Sequence, residues 1–168
     1  AYSFGSTSQL ERKLIDNSNG DFGLIVEDGY LQEVSVTNPK LEQINGFEMV
    51  TAFDQQNNGS QSYIGIRFED ATSSFTAKIK GDCSIEVQTS NLAQPVLQLT
   101  SPKKNNCSDK ISDYIYFHWD GSDLIVKVND DTTAYPFPIG DGFPQNGKLE
   151  IILNGTKVQF RFVAVTTP

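Results

Sequence analysis

Hydrophobic and polar residues alternate along most of this chain. In the run YIGIRFE, every second residue from Ile64 to Phe68 is apolar, and SFTAKIK repeats the pattern from Phe75 to Ile79. Because successive side chains of a strand point to opposite faces, this period of two predicts strands that bury one face. The same pattern, or a short apolar run, predicts further strands at Phe22–Val26, Tyr30–Val36, Phe47–Phe53, Cys83–Val87, Val96–Leu99, Leu149–Leu153 and Val158–Phe162.

Turn-forming pairs separate these runs. Asn-Gly and Asp-Gly recur between them, as at Asp120-Gly121, and these residue types tolerate the backbone of tight turns. Many short strands between such turns predict an all-β fold, a two-sheet antiparallel sandwich of the jelly-roll kind. The exception is SQLERKLI at Ser8–Ile15, where Leu10 and Leu14 have helical spacing, so we expect at most one short helix near the N-terminus.

The run DYIYFHWDGSDLIVKVN, residues 113–129, holds the only histidine and the only tryptophan of the chain. We interpret it as two strands joined by a turn at Asp120–Ser122. The two faces of the first strand then hold Ile115, Phe117 and Trp119 on one side and Tyr114, Tyr116 and His118 on the other. Because Trp119 shares a face with apolar residues, a core tryptophan is the favoured interpretation. An exposed tryptophan that stacks on a sugar is the alternative.

Flat, polar side chains on the predicted strands form a candidate ligand-binding face. Its members are Arg67, Tyr114, Tyr116, His118, Lys127 and Asn129. If their strands share one sheet, the tyrosines and the arginine supply contact area and hydrogen bonds that suit a hydroxyl-rich ligand or a protein surface. The alternative is an ordinary solvated sheet face, on which His118 is a surface residue without a ligand.

Composition narrows the classes of partner. The chain of 168 residues carries a net charge of −8. Binding to nucleic acids or anionic membranes requires a positive surface, so both are unfavourable partners for this chain. No apolar run reaches about 18 residues, and we therefore expect no membrane insertion. The length fits a single domain over 1–168, with the sandwich core at about 16–165 between a short N-terminal arm and a C-terminal tail.

Two cysteines, Cys83 and Cys107, are predicted to form a disulfide, since no third cysteine competes. Closing a loop of this length stabilises a fold by about 3.5 kcal/mol in the chain-entropy model. Together with one histidine, the pair falls short of a four-ligand zinc site of the Cys/His type. No glycine-rich cofactor motif follows a predicted strand, so we expect no cofactor.

Three N-glycosylation sequons begin at Asn58, Asn106 and Asn154. They are about as many as chance gives, but the first two lie in polar stretches that are typical of loops. Cysteines, sequons and a surface rich in Ser, Thr and Asn together predict a secreted protein or the extracellular domain of a membrane protein.

Signals for catalysis are weak. No Gly-x-Ser-x-Gly motif offers a nucleophile for His118 to activate. A glycosidase would need two carboxylates that face each other across a cleft, and Glu69, Glu86 and Glu150 lie on polar strand faces. Because no compact acidic motif joins them, we expect no enzymatic activity, and a glycoside hydrolase-like enzyme is the least favoured alternative.

Between Tyr114 and Val163, predicted strands follow one another at Leu124–Asp130, Ala134–Ile139, Leu149–Asn154 and Val158–Val163. In this order the stretch resembles the closing half of a galectin-type or laminin-G-type jelly roll. It is also similar to the extracellular domain named after farnesoic acid O-methyltransferase, where an aromatic-rich strand ends in Trp before a Gly turn, as in FHWDG. Galectins read galactosides with a His-x-Asn-x-Arg strand and a Trp followed closely by Glu. This sequence has neither motif, so the resemblance transfers no sugar-binding residue.

These observations predict an extracellular, non-catalytic recognition domain that binds glycan or glycoprotein ligands. The alternative is a protein–protein cell-adhesion or receptor-binding domain. In either case the partner is a glycan or a cell-surface protein. The sequence is compatible both with a whole protein and with one domain of a larger extracellular protein.

Overall fold

A computed structural model describes residues 5–6, 12–16, 22–27, 33–37, 39–57, 62–80, 84–91, 94–100, 111–128, 131–136, 144–154 and 156–168. Within these ranges the chain forms two antiparallel sheets of seven strands each. The predicted all-β sandwich is therefore confirmed. A 3-10 turn at Pro39–Leu41 is the one helical element in the described part of the chain.

The first sheet lies on one side of the sandwich. Its strands, in spatial order, are β1 (Gly5–Ser6), β4 (Val34–Thr37), β13 (Lys148–Asn154), β6 (Tyr63–Glu69), β7 (Ser73–Lys80), β8 (Ile85–Asn91) and β9 (Gln94–Thr100). The second sheet packs against it. Its strands, in spatial order, are β12 (Asp131–Pro136), β11 (Asp123–Val128), β10 (Ile111–Trp119), β5 (Phe47–Asn57), β14 (Thr156–Thr166), β3 (Phe22–Glu27) and β2 (Arg12–Asp16).

Aromatic side chains join the two sheets across the core. The Trp119 ring from β10 meets the edge of Phe75 from β7, with ring centroids 5.0 Å apart. Phe68 extends the cluster at 5.6 Å from Phe75, and Phe47 lies 5.4 Å from Phe68. These separations are favourable for tilted aromatic pairs. Trp119 is 1% exposed, which confirms the core interpretation.

The β10–β11 hairpin follows the predicted register. Trp119 pairs with Leu124, and Phe117 pairs with Val126. The carboxylate of Asp120 accepts hydrogen bonds from the backbone amides of Ser122 and Asp123, at 2.8 and 2.9 Å. Gly121 adopts a φ of +96°, a backbone conformation that glycine adopts without steric cost.

The predicted helix at Ser8–Ile15 is wrong where the structure describes it. Residues 12–16 form β2, and Leu14 pairs with Leu24 of β3. Two leucines at helical spacing are a weak local preference, whereas pairing with β3 satisfies the backbone groups and continues the sheet. Among the described residues, no helix has the length and apolar character that crossing a membrane requires.

Candidate functional site

The predicted ligand-binding residues divide between the two sheets. Tyr116 and His118 on β10 and Lys127 on β11 belong to the second sheet, whereas Arg67 on β6 belongs to the first. The expectation that all share one sheet is therefore wrong for Arg67. Alternation determines which face of a strand a residue occupies, but the sheet that contains the strand depends on long-range pairing.

Tyr114 and Asn129, two other predicted residues, fall in part or wholly outside the described structure. Tyr114 pairs through its backbone with Ala52 of β5, and its side chain lies outside what the structure describes. Asn129 lies outside the described residues.

On the outside of the second sheet, four polar or aromatic side chains meet. We call this group, which consists of Glu48, Tyr116, His118 and Lys127, the Tyr116 face. The rings of Tyr116 and His118 are nearly parallel, at 4° with centroids 6.4 Å apart. The Tyr116 hydroxyl donates a hydrogen bond of 2.5 Å to the Glu48 carboxylate, and the Lys127 ammonium lies 5.9 Å from the Tyr116 ring centroid.

The Tyr116 face is partly open to solvent, since Tyr116, His118 and Lys127 are half-buried. Glu48 is exposed, while Val50 and Ile125 beside it are half-buried. Slight burial and the hydrogen bond to Glu48 raise the pKa of Tyr116 to about 12. The Nδ1 atom of His118 has no hydrogen-bond partner among the described residues. The face therefore combines flat aromatic surface with few fixed polar contacts.

The outside of the first sheet holds a denser network. We call this group, which consists of Glu33, Tyr63, Arg67, Lys78 and Glu150, the Arg67 face. The Arg67 guanidinium hydrogen-bonds the Glu33 carboxylate and lies 3.5 Å from the carboxylate of Glu150. The Tyr63 hydroxyl donates to the second oxygen of Glu33 at 2.5 Å. One arginine thus links β6 to carboxylates carried by β13 and by the residue before β4.

Further ion pairs and a cation–π contact extend this network. Lys148 Nζ lies 2.7 Å from Glu150, and Lys80 Nζ lies 3.0 Å from Glu86. The ammonium of Lys78 lies 4.4 Å from the centroid of the Tyr63 ring, a distance at which a cation is attracted to an aromatic face.

Residues of this sheet that point away from the core are nevertheless sheltered. Glu150 is 5% exposed and Ile152 is fully buried, although both alternate with the core residues Leu149 and Ile151. Gly65 lies between Tyr63 and Arg67, and a Cβ at this position would lie 2.0 Å from the carbonyl oxygen of Ala77. Close approach of β6 and β7 therefore requires glycine here.

The pKa shifts follow from this shelter and pairing. Partial burial alone would raise the pKa of Glu33, but hydrogen bonds from Tyr63 and Arg67 and the Arg67 charge hold it below its usual value. Burial and the hydrogen bond to Glu33 raise the pKa of Tyr63. At neutral pH the carboxylate is thus an ionised acceptor and the phenol is a neutral donor.

An open cavity of about 600 Å³ adjoins the Arg67 face where β6 ends and β13 begins. Its polar lining includes Glu42, Glu69, Asp70, Asn146 and Lys148. Lys148 pairs with Glu69 in the strand register and also contacts Glu150. The cavity is therefore continuous with the Arg67 face.

Other predicted features lie largely outside the described residues. Cys83, Cys107, Asn58 and Asn106 all fall there, so the disulfide and two of the sequons remain predictions. Asn154 lies at the end of β13, opposite Tyr63, and is half-buried. No cluster of metal-binding side chains occurs in the part of the chain that the structure describes.

The sequence alone indicated Arg67 as a ligand-binding residue and Glu150 as a possible carboxylate of a hydrolase, but not Tyr63 or Glu33. Alternation along YIGIRFE already places Tyr63, Gly65 and Arg67 on one face, and this signal could have nominated the tyrosine. Glu33 carries no such signal, because it precedes its strand and reaches Arg67 from 34 positions away in the sequence.

Comparisons with known proteins define the class of fold. No protein-family model matches the chain, and no curated protein matches it. The structure is similar to the carbohydrate-binding module CBM66 from Bacillus subtilis, with a TM-score of 0.67 and 10% identity over 99% of this chain and 96% of the module. It is also similar to CG-16, a homodimeric agglutinin from chicken liver, with a TM-score of 0.54 and 13% identity over 80% of this chain and all of that one.

A third similar structure is the binding domain of botulinum neurotoxin DC in complex with SialylT. The TM-score is 0.62 with 12% identity, and the match covers 98% of this chain but only 43% of the neurotoxin domain. At such identities the likeness concerns the fold alone. The chain has the β-sandwich fold found in carbohydrate-binding modules and lectin-like domains.

Proposed function

We propose that this chain is a non-catalytic glycan-recognition module and that the Arg67 face holds the ligand. The observation that carries the proposal is the sheltered network of fixed donors and acceptors on an outward sheet surface. Arg67, Glu33 and Glu150 hold one another in place. A ligand that binds there meets groups whose orientation is already determined, and this lowers the entropic cost of recognition.

The chemistry of these groups suits sugars. A hydroxyl both donates and accepts hydrogen bonds, so neighbouring hydroxyls on one ring can accept from a guanidinium and donate to a carboxylate. The Arg67 side chain is 26% exposed. Its guanidinium presents planar donors beside the Glu33 oxygens. Tyr63 is 8% exposed and has the Lys78 ammonium over the face of its ring, so its hydroxyl holds the Glu33 carboxylate in place for the ligand.

Structural relatives support this class of function. One is a carbohydrate-binding module, one is an agglutinin, and one is a toxin binding domain in complex with SialylT. The resemblance to the domain named after farnesoic acid O-methyltransferase rests on the sequence pattern alone and stays a prediction.

The Arg67 face favours binding over catalysis. Glu150 is paired with Arg67 and Lys148, and Glu86 is paired with Lys80. A glycosidase instead needs one carboxylic acid kept protonated by an apolar environment opposite an ionised partner. Carboxylates that are each held by a cation serve better as hydrogen-bond acceptors for sugar hydroxyls.

A second candidate is protein recognition through the Tyr116 face. Two parallel aromatic rings beside the half-buried Val50 and Ile125 form flat, partly apolar surface. Tyrosine surface of this kind is enriched at protein interfaces because it buries a large area at low entropic cost. This would make the chain an adhesion or receptor-binding domain.

Two matched substitutions separate the candidates. Tyr63→Phe and Tyr116→Phe each remove one hydroxyl that donates to a glutamate, on opposite sides of the sandwich. We expect a glycan array and titration calorimetry with the best array ligand to show about tenfold weaker binding for Tyr63→Phe, equivalent to one hydrogen bond in a binding site. Tyr116→Phe should bind as the unsubstituted chain does. Weaker binding for Tyr116→Phe alone would move the site to the Tyr116 face.

We also propose that the protein acts outside the cell. The predicted disulfide and the sequons support this proposal, since oxidised cysteines persist in secreted proteins. Intact mass with and without reductant should differ by two hydrogens. Free thiols on both Cys83 and Cys107 in the native protein would count against an extracellular role.

A further inference from the structure

On the Arg67 face and beside it, three cations already contact carboxylates. Arg67 lies between Glu33 and Glu150, Lys148 contacts Glu150, and Lys80 contacts Glu86. Lys78 lies over the Tyr63 ring, and its charge also helps to lower the pKa of Glu33. An incoming anion would have to compete with these carboxylates for Arg67, Lys80 and Lys148.

The charge balance leads to the same conclusion. The outward positions of β6, β7, β8 and β13, together with Glu33, carry equal numbers of negative and positive side chains. These are Glu33, Glu69, Glu86 and Glu150 against Arg67, Lys78, Lys80 and Lys148. Glu42 and Asp70 of the adjoining cavity bring the sum to −2, and the whole chain carries −8.

The cavity is the surface that a ligand longer than one sugar would meet next. Asp70 is held there as part of the turn before β7, where its carboxylate accepts from the backbone amides of Thr72 and Ser73 at 2.8 Å. Partial burial alone would raise the pKa of Asp70, but these hydrogen bonds lower it. The carboxylate therefore stays ionised in the path of the ligand.

We propose that the Arg67 face selects neutral oligosaccharides, whose chain extends from Arg67 into the cavity beside Lys148, and that it rejects sugars bearing carboxylate or sulfate groups. This inference rests on the proposed glycan-binding function and adds the class of glycan. Neutral hydroxyls can share the existing donors and acceptors without breaking an ion pair. An anionic group would meet unbalanced negative charge at the cavity.

The test is a glycan array that carries neutral oligosaccharides and, on the same backbones, their sialylated and sulfated counterparts. We expect at least one neutral glycan to bind. Its anionic counterpart should bind about fivefold more weakly or not at all, because one like-charge contact in water weakens binding by about this factor. Affinity for the neutral glycan should change by less than about twofold when the ionic strength is raised tenfold.

A matched pair of charge substitutions assigns the selectivity to this surface. Glu69→Gln removes one negative charge at the cavity, and Asp123→Asn removes one on β11 of the other sheet. Only Glu69→Gln should reduce the difference between neutral and anionic counterparts. Equal reductions by both variants would show a general effect of net charge and overturn the assignment to the cavity.

The remaining outcomes separate the two proposals. Equal or tighter binding of the anionic counterparts would overturn the selectivity and leave glycan recognition standing. Binding of no glycan on the array would overturn glycan recognition itself and the selectivity with it.

Discussion

The two outer faces of this sandwich arise from the same alternation and differ in what surrounds them. On the Arg67 face, side chains from neighbouring strands cross-link, and the outward-pointing Glu150 is almost as buried as a core residue. On the Tyr116 face, a single hydrogen bond joins Tyr116 to an exposed Glu48. The same alternation thus produces two outward faces that differ in how far neighbouring side chains shelter and cross-link them.

The difference also changes what each face can recognise. Fixed and sheltered ion pairs orient hydrogen bonds, and this favours a ligand with hydroxyls at defined positions. An open aromatic surface with few fixed contacts suits a broad protein interface. Substitutions on each face test whether the two faces differ in stability and in binding.

The largest loss of stability is expected from Trp119→Ala, because the Trp119 ring packs in the core between the two sheets that carry the two faces. Removing a fully buried aromatic side chain lowers the free energy of unfolding by about 3–5 kcal/mol, much of the stability of a typical domain. Urea unfolding followed by circular dichroism measures the loss. An unchanged unfolding midpoint would contradict the core assignment of Trp119.

A smaller effect is expected from Arg67→Met, which leaves two carboxylates of the Arg67 face without their shared partner. Because Glu150 is buried but Arg67 is partly exposed, we expect a loss of about 1–3 kcal/mol, below that for a fully buried pair. Lys127→Met on the Tyr116 face is the matched control and should cost less than about 0.5 kcal/mol. Similar unfolding midpoints for the two variants would remove the energetic difference between the faces.

The smallest loss of stability is expected when the pH is lowered and Glu33 becomes protonated. The folded-state pKa of Glu33 lies below its ordinary value of 4.5. The stabilising contribution of Glu33 is therefore present above that value and is lost as the pH falls through the folded-state pKa. Urea unfolding at pH 7 and near pH 3 should show a larger loss for the unsubstituted chain than for Glu33→Gln. Equal losses would show that the Glu33 contacts contribute nothing to the pH dependence.

Local sequence patterns were enough to predict several strands, one turn and the core position of Trp119. The period of two along YIGIRFE and SFTAKIK predicted β6 and β7, and the burial of alternate residues in β7 from Ser73 to Lys80 confirms it. The same rule placed Trp119 in the core, because each residue of a strand has its face determined by its immediate neighbours. The Asp120-Gly121 turn was likewise predictable, since the Asp side chain and the glycine backbone act within four residues.

Long-range strand pairing sets which polar residues lie together on one face of the sandwich. Arg67 and Tyr116 are both polar-face residues of alternating strands, yet β6 pairs with β7 and β13, while β10 pairs with β5 and β11. Glu33 and Glu150 reach Arg67 from distant parts of the chain. Strand pairing brings such residues together through backbone hydrogen bonds that any sequence can make, so side-chain pattern alone does not specify the partners.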